Sequence, residues 1–196
     1  MATMIRVNME TKEITQEEAG KYNNYGSRGF VARFLTDEVD PTCEPLGIHN
    51  KFILCTGLLG GTAVSSSGRL SVGGKSPLTN GIKEASSGGT AANDMARHGI
   101  RAVIFERLPE AGDPNAYVLV ISDGGTRLEA MNELRLMGAR DTIQTLRQKF
   151  GEKAGIICNG PAGEHLMRGA GVVCAAPKGE MRFAARGGMG AVMGSK

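Results

Sequence analysis

The chain has 196 residues, which fits one large domain or two small ones and is long enough to bury a hydrophobic core. Hydrophobic residues make up 41%, charged residues 22% and the net charge is +3, a composition typical of a globular protein without a nucleic-acid surface. No apolar stretch approaches the roughly 20 residues of a membrane span, and the N-terminus has no apolar signal core, so we expect a cytoplasmic protein that contacts no membrane.

Hydrophobic periodicity and turn residues predict the secondary structure in chain order. The first half is expected to hold strands over residues 4–9 and 13–16, a helix over 27–38 capped by Ser27, and strands over 51–56, 69–72 and 81–85. The second half is expected to hold a helix over 89–97 that ends at Gly99, a strand over 100–107, a hairpin of 116–121 and 126–130, a helix over 141–150, and a strand over 154–159. Hairpins and isolated helices without regular βαβ alternation predict an α+β fold.

Glycine is the unusual component of this sequence. The chain has 29 glycines, about twice the typical ~7%, and nine lie within residues 57–89 and nine more within 160–194. Both clusters are interleaved with strand-like apolar runs, which argues against low-complexity disorder. Glycine turns admit positive φ and let backbone N–H groups approach an anion closely.

The two clusters echo each other. Leu54-Cys55-Thr56-Gly57-Leu58-Leu59-Gly60 compares with Ile157-Cys158-Asn159-Gly160-Pro161-Ala162-Gly163, and Ala85-Ser86-Ser87-Gly88-Gly89 compares with Ala184-Ala185-Arg186-Gly187-Gly188. The offsets are 103 and 99 residues, so the two registers nearly agree. Chance matches are easy in such a composition, but a true duplication would give a pseudo-twofold domain that presents two similar turns to one central object.

The two turns are candidates for anion binding. Ser87-Gly88-Gly89 precedes a predicted helix, whose N-terminal amides favour phosphate, and Arg186-Gly187-Gly188 opens a second such segment. Arg69 and Arg182 flank the clusters and could make planar, bidentate contacts to phosphate or to a polar heterocycle. The alternative is that the glycines serve tight packing and the arginines are solvated.

Other chemistry is not visible in the sequence. The segment around Gly187 lacks the spacing of a dinucleotide fingerprint, and Gly74-Lys75-Ser76 lacks the upstream glycine of a Walker loop. No Gly-x-Ser-x-Gly nucleophile motif occurs, and the three histidines lie in polar contexts. The four cysteines are far apart without a CxxC pair, which favours buried thiols over a disulfide or metal set.

An ordered set of segments resembles the N-terminal domain of the tungsten-containing aldehyde:ferredoxin oxidoreductases. The opening Ile5-Arg6-Val7-Asn8 and Gly26-Ser27-Arg28-Gly29 fit this family, and the resemblance covers essentially the whole chain, residues 1–196, as a single domain. The segments that carry it are Pro45-Leu46, Asn50-Lys51, Gly68-Arg69, Lys75-Ser76-Pro77-Leu78-Thr79, Ser87-Gly88-Gly89, Gly160-Pro161-Ala162-Gly163-Glu164, and Arg186-Gly187-Gly188-Met189-Gly190 with the residues that follow.

The resemblance implies an α+β base of two sheets related by a pseudo-twofold axis, which holds a pair of tungstopterins (or molybdopterins) bridged by magnesium. Carried over to this sequence, Arg69 and Arg182 would contact the pterins, and the main chain at Ser86 and Phe183 would face the magnesium. The phosphates would lie on Ser87, Gly88 and Gly89 and on Arg186, Gly187 and Gly188. The family pattern has Asn at the position of Ser86 and Ala at the position of Phe183.

The family's four-iron four-sulfur cluster is held by cysteines of later helical domains, which these 196 residues do not contain. We therefore expect a cofactor-cradling domain that is catalytically incomplete alone, as a split subunit or truncated product. Its expected partners are the remaining domains or a complementary subunit, ferredoxin indirectly, and a possible second copy. The complete enzyme would oxidise an aldehyde to an acid. Two alternatives stay open, namely a non-catalytic remnant or partner-binding assembly module, and a generic nucleotide binder.

Overall fold

The computed structural model describes residues 2–196, with Lys178 placed by its backbone alone. A six-stranded sheet is its largest element. Its strands, in chain order, are β1 (Thr3–Asn8), β2 (Ile14–Glu18), β3 (Phe52–Thr56), β4 (Leu70–Lys75), β5 (Ile82–Ser87) and β6 (Ile100–Glu106). Across the sheet they are ordered β2-β1-β6-β3-β4-β5, with β1 parallel to β6 and the other pairs antiparallel.

Two smaller sheets and five helices complete the fold of the described residues. The strands are β7 (Tyr117–Ser122) and β8 (Gly125–Ala130), which form a ribbon, and β9 (Ile157–Cys158), β10 (Val172–Ala175) and β11 (Met181–Ala184), ordered β11-β10-β9. The helices are α1 (Ser27–Glu38), α2 (Ala91–Arg97), α3 (Ala139–Phe150), α4 (Pro161–Glu164) and α5 (Met189–Gly194). The predicted α+β class is confirmed, with the ribbon as a further sheet beside the two expected ones.

Three buried clusters define the layers. α1 covers one face of the six-stranded sheet, where Phe30 and Phe34 pack with Ile53 and Ile104. The opposite face shares a cluster with α2, α5 and one face of the three-stranded sheet, which contributes Val172 and Cys174. The other face of the three-stranded sheet, through Val173 and Ala175, packs on Ile143 and Leu146 of α3. The edge strands β5 and β11 contact each other where the two sheets meet.

The chain order repeats in the two halves that the sequence echo marks. In the first half, the antiparallel meander β3-β4-β5 leads into residues 87–89 and then α2. In the second half, the antiparallel meander β9-β10-β11 leads into residues 186–188 and then α5. Both central hairpins carry a proline, Pro77 and Pro177, just after their first strand. This connectivity agrees with the duplication that the echo predicts.

Some predicted boundaries are wrong. Ser27 does not cap α1, because it is the first helical residue, with φ +49°, and Gly26 occupies the N-cap position. A Cβ at Gly26 would lie 2.8 Å from the backbone nitrogen of Leu58, so close chain approach rather than capping chemistry sets this start. The strand expected over 154–159 is reduced to Ile157–Cys158. The helix expected from Gly89 begins at Ala91.

A network of ion pairs joins β1, α1 and β6. The guanidinium of Arg6 contacts Glu17, Glu38 and Glu106 at 2.6, 2.8 and 3.0 Å, and Lys51 also pairs with Glu106. Burial raises the pKa of the Glu38 and Glu106 carboxyls, but the cations of Arg6 and Lys51 outweigh it and leave both pKa values below the ordinary glutamate value. A cleft of about 490 Å³ lies beside this network, and none of its lining residues belongs to the two glycine turns.

Candidate functional site

The predicted site residues lie along the contact between the edge strands β5 and β11. Each edge strand runs directly into a glycine turn, the first glycine turn being residues 87–89 and the second residues 186–188. β5 and β11 contact each other but share no ladder pairing among the described residues. The two turns lie at opposite ends of this contact, since Gly88 is beside Arg182 at the start of β11 and Gly187 is beside Lys83 at the start of β5. This reciprocal placement agrees with the pseudo-twofold hypothesis.

The first glycine turn is anchored to the end of β10. Gly89 has φ +123°, and a Cβ there would lie 2.7 Å from the carbonyl oxygen of Ala175. The next N–H, of Thr90, donates to that same oxygen at 3.4 Å. The buried Ser87 hydroxyl donates to the carbonyl oxygen of Gly88 at 3.1 Å. Only glycine permits this approach of the turn to the neighbouring sheet.

The second glycine turn is anchored reciprocally, to the end of β4. Gly187 and Gly188 have φ +80° and +73°, and the Ser76 hydroxyl donates to the carbonyl oxygen of Gly187 at 2.8 Å. A Cβ on Gly188 would lie 2.2 Å from the carbonyl oxygen of Arg168 and 2.7 Å from Cγ of Pro77. The first glycine turn is thus held by Ala175, the last residue of β10, and the second by Ser76, which directly follows β4. In both cases the support comes from the central strand of the other half.

Both turns offer backbone donors. Within the described chain, no hydrogen bond uses the N–H groups of Gly88, Gly89, Arg186, Gly187 or Gly188. Gly188 is moreover a buried residue, and the backbone N–H groups of buried residues are usually paired in a folded protein. Neighbouring backbone N–H groups that point into a concavity form an anion site. The chemistry of this donor set therefore fits phosphate groups.

The helices that follow the two turns are shorter than the sequence-based prediction of helix N-terminal anion sites assumes. α2 and α5 have only seven and six residues, and Thr90 separates the first glycine turn from α2. Such short helices contribute little macrodipole, so the free N–H groups of the turns provide the donors.

The flanking arginines stand at this junction and remain exposed. Arg69 lies just before β4, and its Nη2 donates to the hydroxyl and the carbonyl oxygen of Ser86 at 3.0 and 3.3 Å. Arg182 on β11 pairs with Glu180 at 2.8 Å, and its Cγ would lie 3.8 Å from a Cβ on Gly88. Exposed guanidinium groups beside free amides can add bidentate contacts to an anion.

The side chains of Ser86 and Phe183 lie on the outer faces of their sheets. Ser86 alternates with Ala85, which belongs to the buried cluster between the sheets, and so it faces the layer of α1. Phe183 shares a face with Met181, which packs on the α3 side, and it is 53% exposed. Arg182 points to the opposite face. The phenyl ring that replaces a small residue of the family pattern is therefore directed away from the face that carries Arg182 and Gly88.

Other candidate reactive side chains within residues 2–196 include potential metal ligands and the four cysteines. No group of three or more His, Cys, Asp or Glu side chains in that range is placed to hold a metal ion. All four cysteines are free thiols, with Cys55, Cys158 and Cys174 buried and Cys43 half-buried. Burial raises the pKa of Cys55 and Cys158 to about 12, so both are unreactive thiols near neutral pH. None of the helices within residues 2–196 is both long and apolar enough to span a bilayer.

Sequence reasoning missed the residues that hold the two turns in place. Ser76, Pro77 and the carbonyl oxygen of Ala175 fix the turns from the opposite half of the molecule. A buried serine next to a proline carries no such signal in one sequence, because its partner Gly187 lies 111 residues away. Within the sequence, the echo of the two halves was the only indication that each half supports the turn of the other.

Comparisons with known proteins agree with this architecture. Residues 4–196 match the family model described as "Aldehyde ferredoxin oxidoreductase, N-terminal domain". The chain is 37% identical to the tungsten-containing aldehyde ferredoxin oxidoreductase of Pyrococcus furiosus and 34% identical to that of Thermococcus kodakarensis, in each case over 98% of the chain. It spans only 31% of the length of these relatives.

A solved structure has the same fold. The chain superposes with a TM-score of 0.88 and 27% identity on the active-site complex BamBC of benzoyl-coenzyme A reductase, solved in complex with 1,5-dienoyl-CoA. The match covers 100% of this chain and 29% of the other. The resemblance stated from the sequence is thereby confirmed at the level of family and fold.

Proposed function

This chain belongs to the aldehyde ferredoxin oxidoreductase family, as its N-terminal domain, and we propose that it seats a tungstopterin pair, or its molybdenum counterpart, by the phosphate groups. The observation that carries the proposal is the set of five backbone N–H groups without an acceptor, distributed over two turns at one sheet junction. One of the five belongs to Gly188, a buried residue, and the backbone N–H groups of buried residues are usually paired.

Each part of the junction has its own task. The first glycine turn and the second glycine turn donate to the phosphates, one turn for each half of the pair. Arg69 and Arg182 give up their contacts to Ser86 and Glu180, which are exposed and weak, and bind the polar edges of the pterins. When the group is bound, the main chain at Ser86 and Phe183 would face its magnesium, and the outward side chains leave that main chain accessible.

The group, when bound, supplies two-electron oxidation of an aldehyde to an acid at the metal. The chain's own contribution is orientation and electrostatics. A preorganised set of donors costs no rearrangement when the anion binds, since glycine turns, anchoring oxygens and strand edges are already fixed by the fold. We propose that the reacting groups come from outside this chain.

The greater length of the relatives indicates what else the complete enzyme contains. Relatives are about three times as long as this chain, and we propose that their additional domains, or a complementary subunit, provide the four-iron four-sulfur cluster and pass electrons to ferredoxin. The loop that leads to Arg69 exposes Leu58, Leu59 and Val64, each more than half accessible. Such a patch suits coverage by a further domain. We also propose that the chain can assemble with a second copy of itself and that it is located in the cytoplasm.

Metal and pterin content tests the proposal. The chain, isolated from a host that makes tungstopterin, is analysed for tungsten and molybdenum and for pterin fluorescence after oxidation. Arg69→Ala and Arg182→Ala are each expected to lower occupancy about tenfold through loss of a charge-assisted contact. Arg33→Ala, whose guanidinium pairs with Asp37 away from the junction, is the matched control. Unchanged occupancy in both variants would count against the seat, and a stable wild-type fold without metal or pterin would favour the assembly module.

A further inference from the structure

The second glycine turn depends on one side chain from the other half of the molecule. Ser76 is completely buried, and its hydroxyl is fully used. It donates to the carbonyl oxygen of Gly187 at 2.8 Å and accepts from the N–H groups of Leu78 and Thr79 at 3.1 and 3.2 Å. One donor and two acceptors are all that a hydroxyl offers.

The position of this hydroxyl is itself fixed by the β4–β5 hairpin. The backbone N–H of Ser76 donates to the carbonyl oxygen of Gly81 at 2.9 Å, and its carbonyl oxygen accepts from Asn80 at 2.9 Å. Pro77 follows directly and packs against Gly188. The hydroxyl is therefore held in place by its own hairpin, independently of the glycine turn that it contacts.

The consequence follows from the geometry of the peptide unit. In a trans peptide the C=O and N–H bonds lie in one plane and point in opposite directions. Because Ser76 holds the C=O of Gly187, the N–H of Gly188 in the same peptide must point away from Ser76. Two consecutive glycines with positive φ have many alternative conformations, so without this bond the peptide could rotate and turn its oxygen toward the ligand side.

We infer that Ser76 is a positioning residue that sets the orientation of the Gly187–Gly188 peptide and thereby makes the second glycine turn a donor site for a phosphate group. The inference rests on the proposed function and gives it a specific residue that touches no ligand. The first glycine turn has a different anchor, the Ala175 oxygen, and does not depend on Ser76. The effect of Ser76 is therefore confined to one of the two turns.

The test uses the isotope-labelled chain, inorganic pyrophosphate as the probe, and backbone amide signals as the readout. In Ser76→Ala, the amide of Gly188 exchanges faster, and pyrophosphate affinity measured at residues 186–188 falls roughly tenfold, the worth of one well-made hydrogen bond. Affinity measured at residues 87–89 stays at the wild-type value. Thr79→Ala, which removes an exposed hydroxyl of the same hairpin, is the matched control and leaves both turns unchanged.

Ser76→Cys places a weaker hydrogen-bonding group on a slightly larger side chain and serves if the alanine variant does not fold. It is expected to shift the same amide signals in the same direction. Equal pyrophosphate affinity and equal exchange of the Gly188 amide in wild type and variants would overturn the inference, as would equal loss at both turns. If the wild-type turns show no response to pyrophosphate, the proposed phosphate seat fails, while the exchange rate of Gly188 still decides whether Ser76 orients the peptide.

Discussion

Replacement of Gly188 by alanine tests the packing of the second glycine turn, and its cost can be worked out from the structure. The residue has φ +73°, which costs an L-residue about 1–2 kcal/mol. The new Cβ would also lie 2.2 Å from the carbonyl oxygen of Arg168, a backbone atom that cannot rotate away. Forcing a methyl group into a packed site costs about 1–3 kcal/mol more.

We therefore expect Gly188→Ala to lower the free energy of unfolding by about 2–5 kcal/mol, which is a fall in melting temperature of roughly 5–15 °C for a domain of this size. Gly99→Ala is the matched control, because Gly99 has φ +74° and nothing within 4 Å of the new Cβ. It should lose only the backbone cost, about 1–2 kcal/mol and roughly 2–8 °C. Thermal unfolding followed by circular dichroism measures both. Equal losses in the two variants would refute the close contact at Gly188.

Three further predictions concern other parts of the chain. Arg6→Met should lower the free energy of unfolding by about 2 kcal/mol at neutral pH. Because the folded-state pKa values of Glu38 and Glu106 are lowered, this advantage of the wild type is present above their unfolded pKa and lost as the pH falls through the lowered folded-state pKa values, which urea titrations at several pH values will check. Native alkylation followed by mass spectrometry should modify Cys43 first, and the three buried cysteines only in denaturant; rapid modification of all four would contradict their burial. Phe183→Ala should change the free energy of unfolding by less than about 1 kcal/mol and leave pyrophosphate binding intact; weakened binding would show that the ring does face the turns.

Local sequence signals were sufficient for much of the fold. The hairpin of β7 and β8, the amphipathic α3 and the left-handed Gly99 after α2 follow from alternation, periodicity and turn chemistry, and the structure confirms all three. The echo of the two glycine clusters predicted a repeated unit from the sequence alone. Short-range patterns carry this information because each involves residues that are neighbours in the chain.

The parts that were missed depend on distant partners. Val172–Ala175 is too short for a periodic signal, and Met181–Ala184 carries an exposed Arg182 and Phe183, a pattern that reads as a poor strand. Both form strands because they pair with each other and because β10 is buried on both faces. The support of the second glycine turn by Ser76 is likewise a contact between halves, and only the folded chain reveals it.

The location of tungsten in the loaded protein tests whether the two glycine turns hold the cofactor. Crystals of the chain loaded with cofactor, with or without its partner polypeptide, would be measured at the tungsten absorption edge, where anomalous scattering identifies the metal. The account predicts one tungsten peak between Arg69 and Arg182, with phosphate groups within hydrogen-bonding distance of the N–H groups of both glycine turns. A loaded protein whose tungsten lies elsewhere, or whose phosphates contact only one turn, would contradict it.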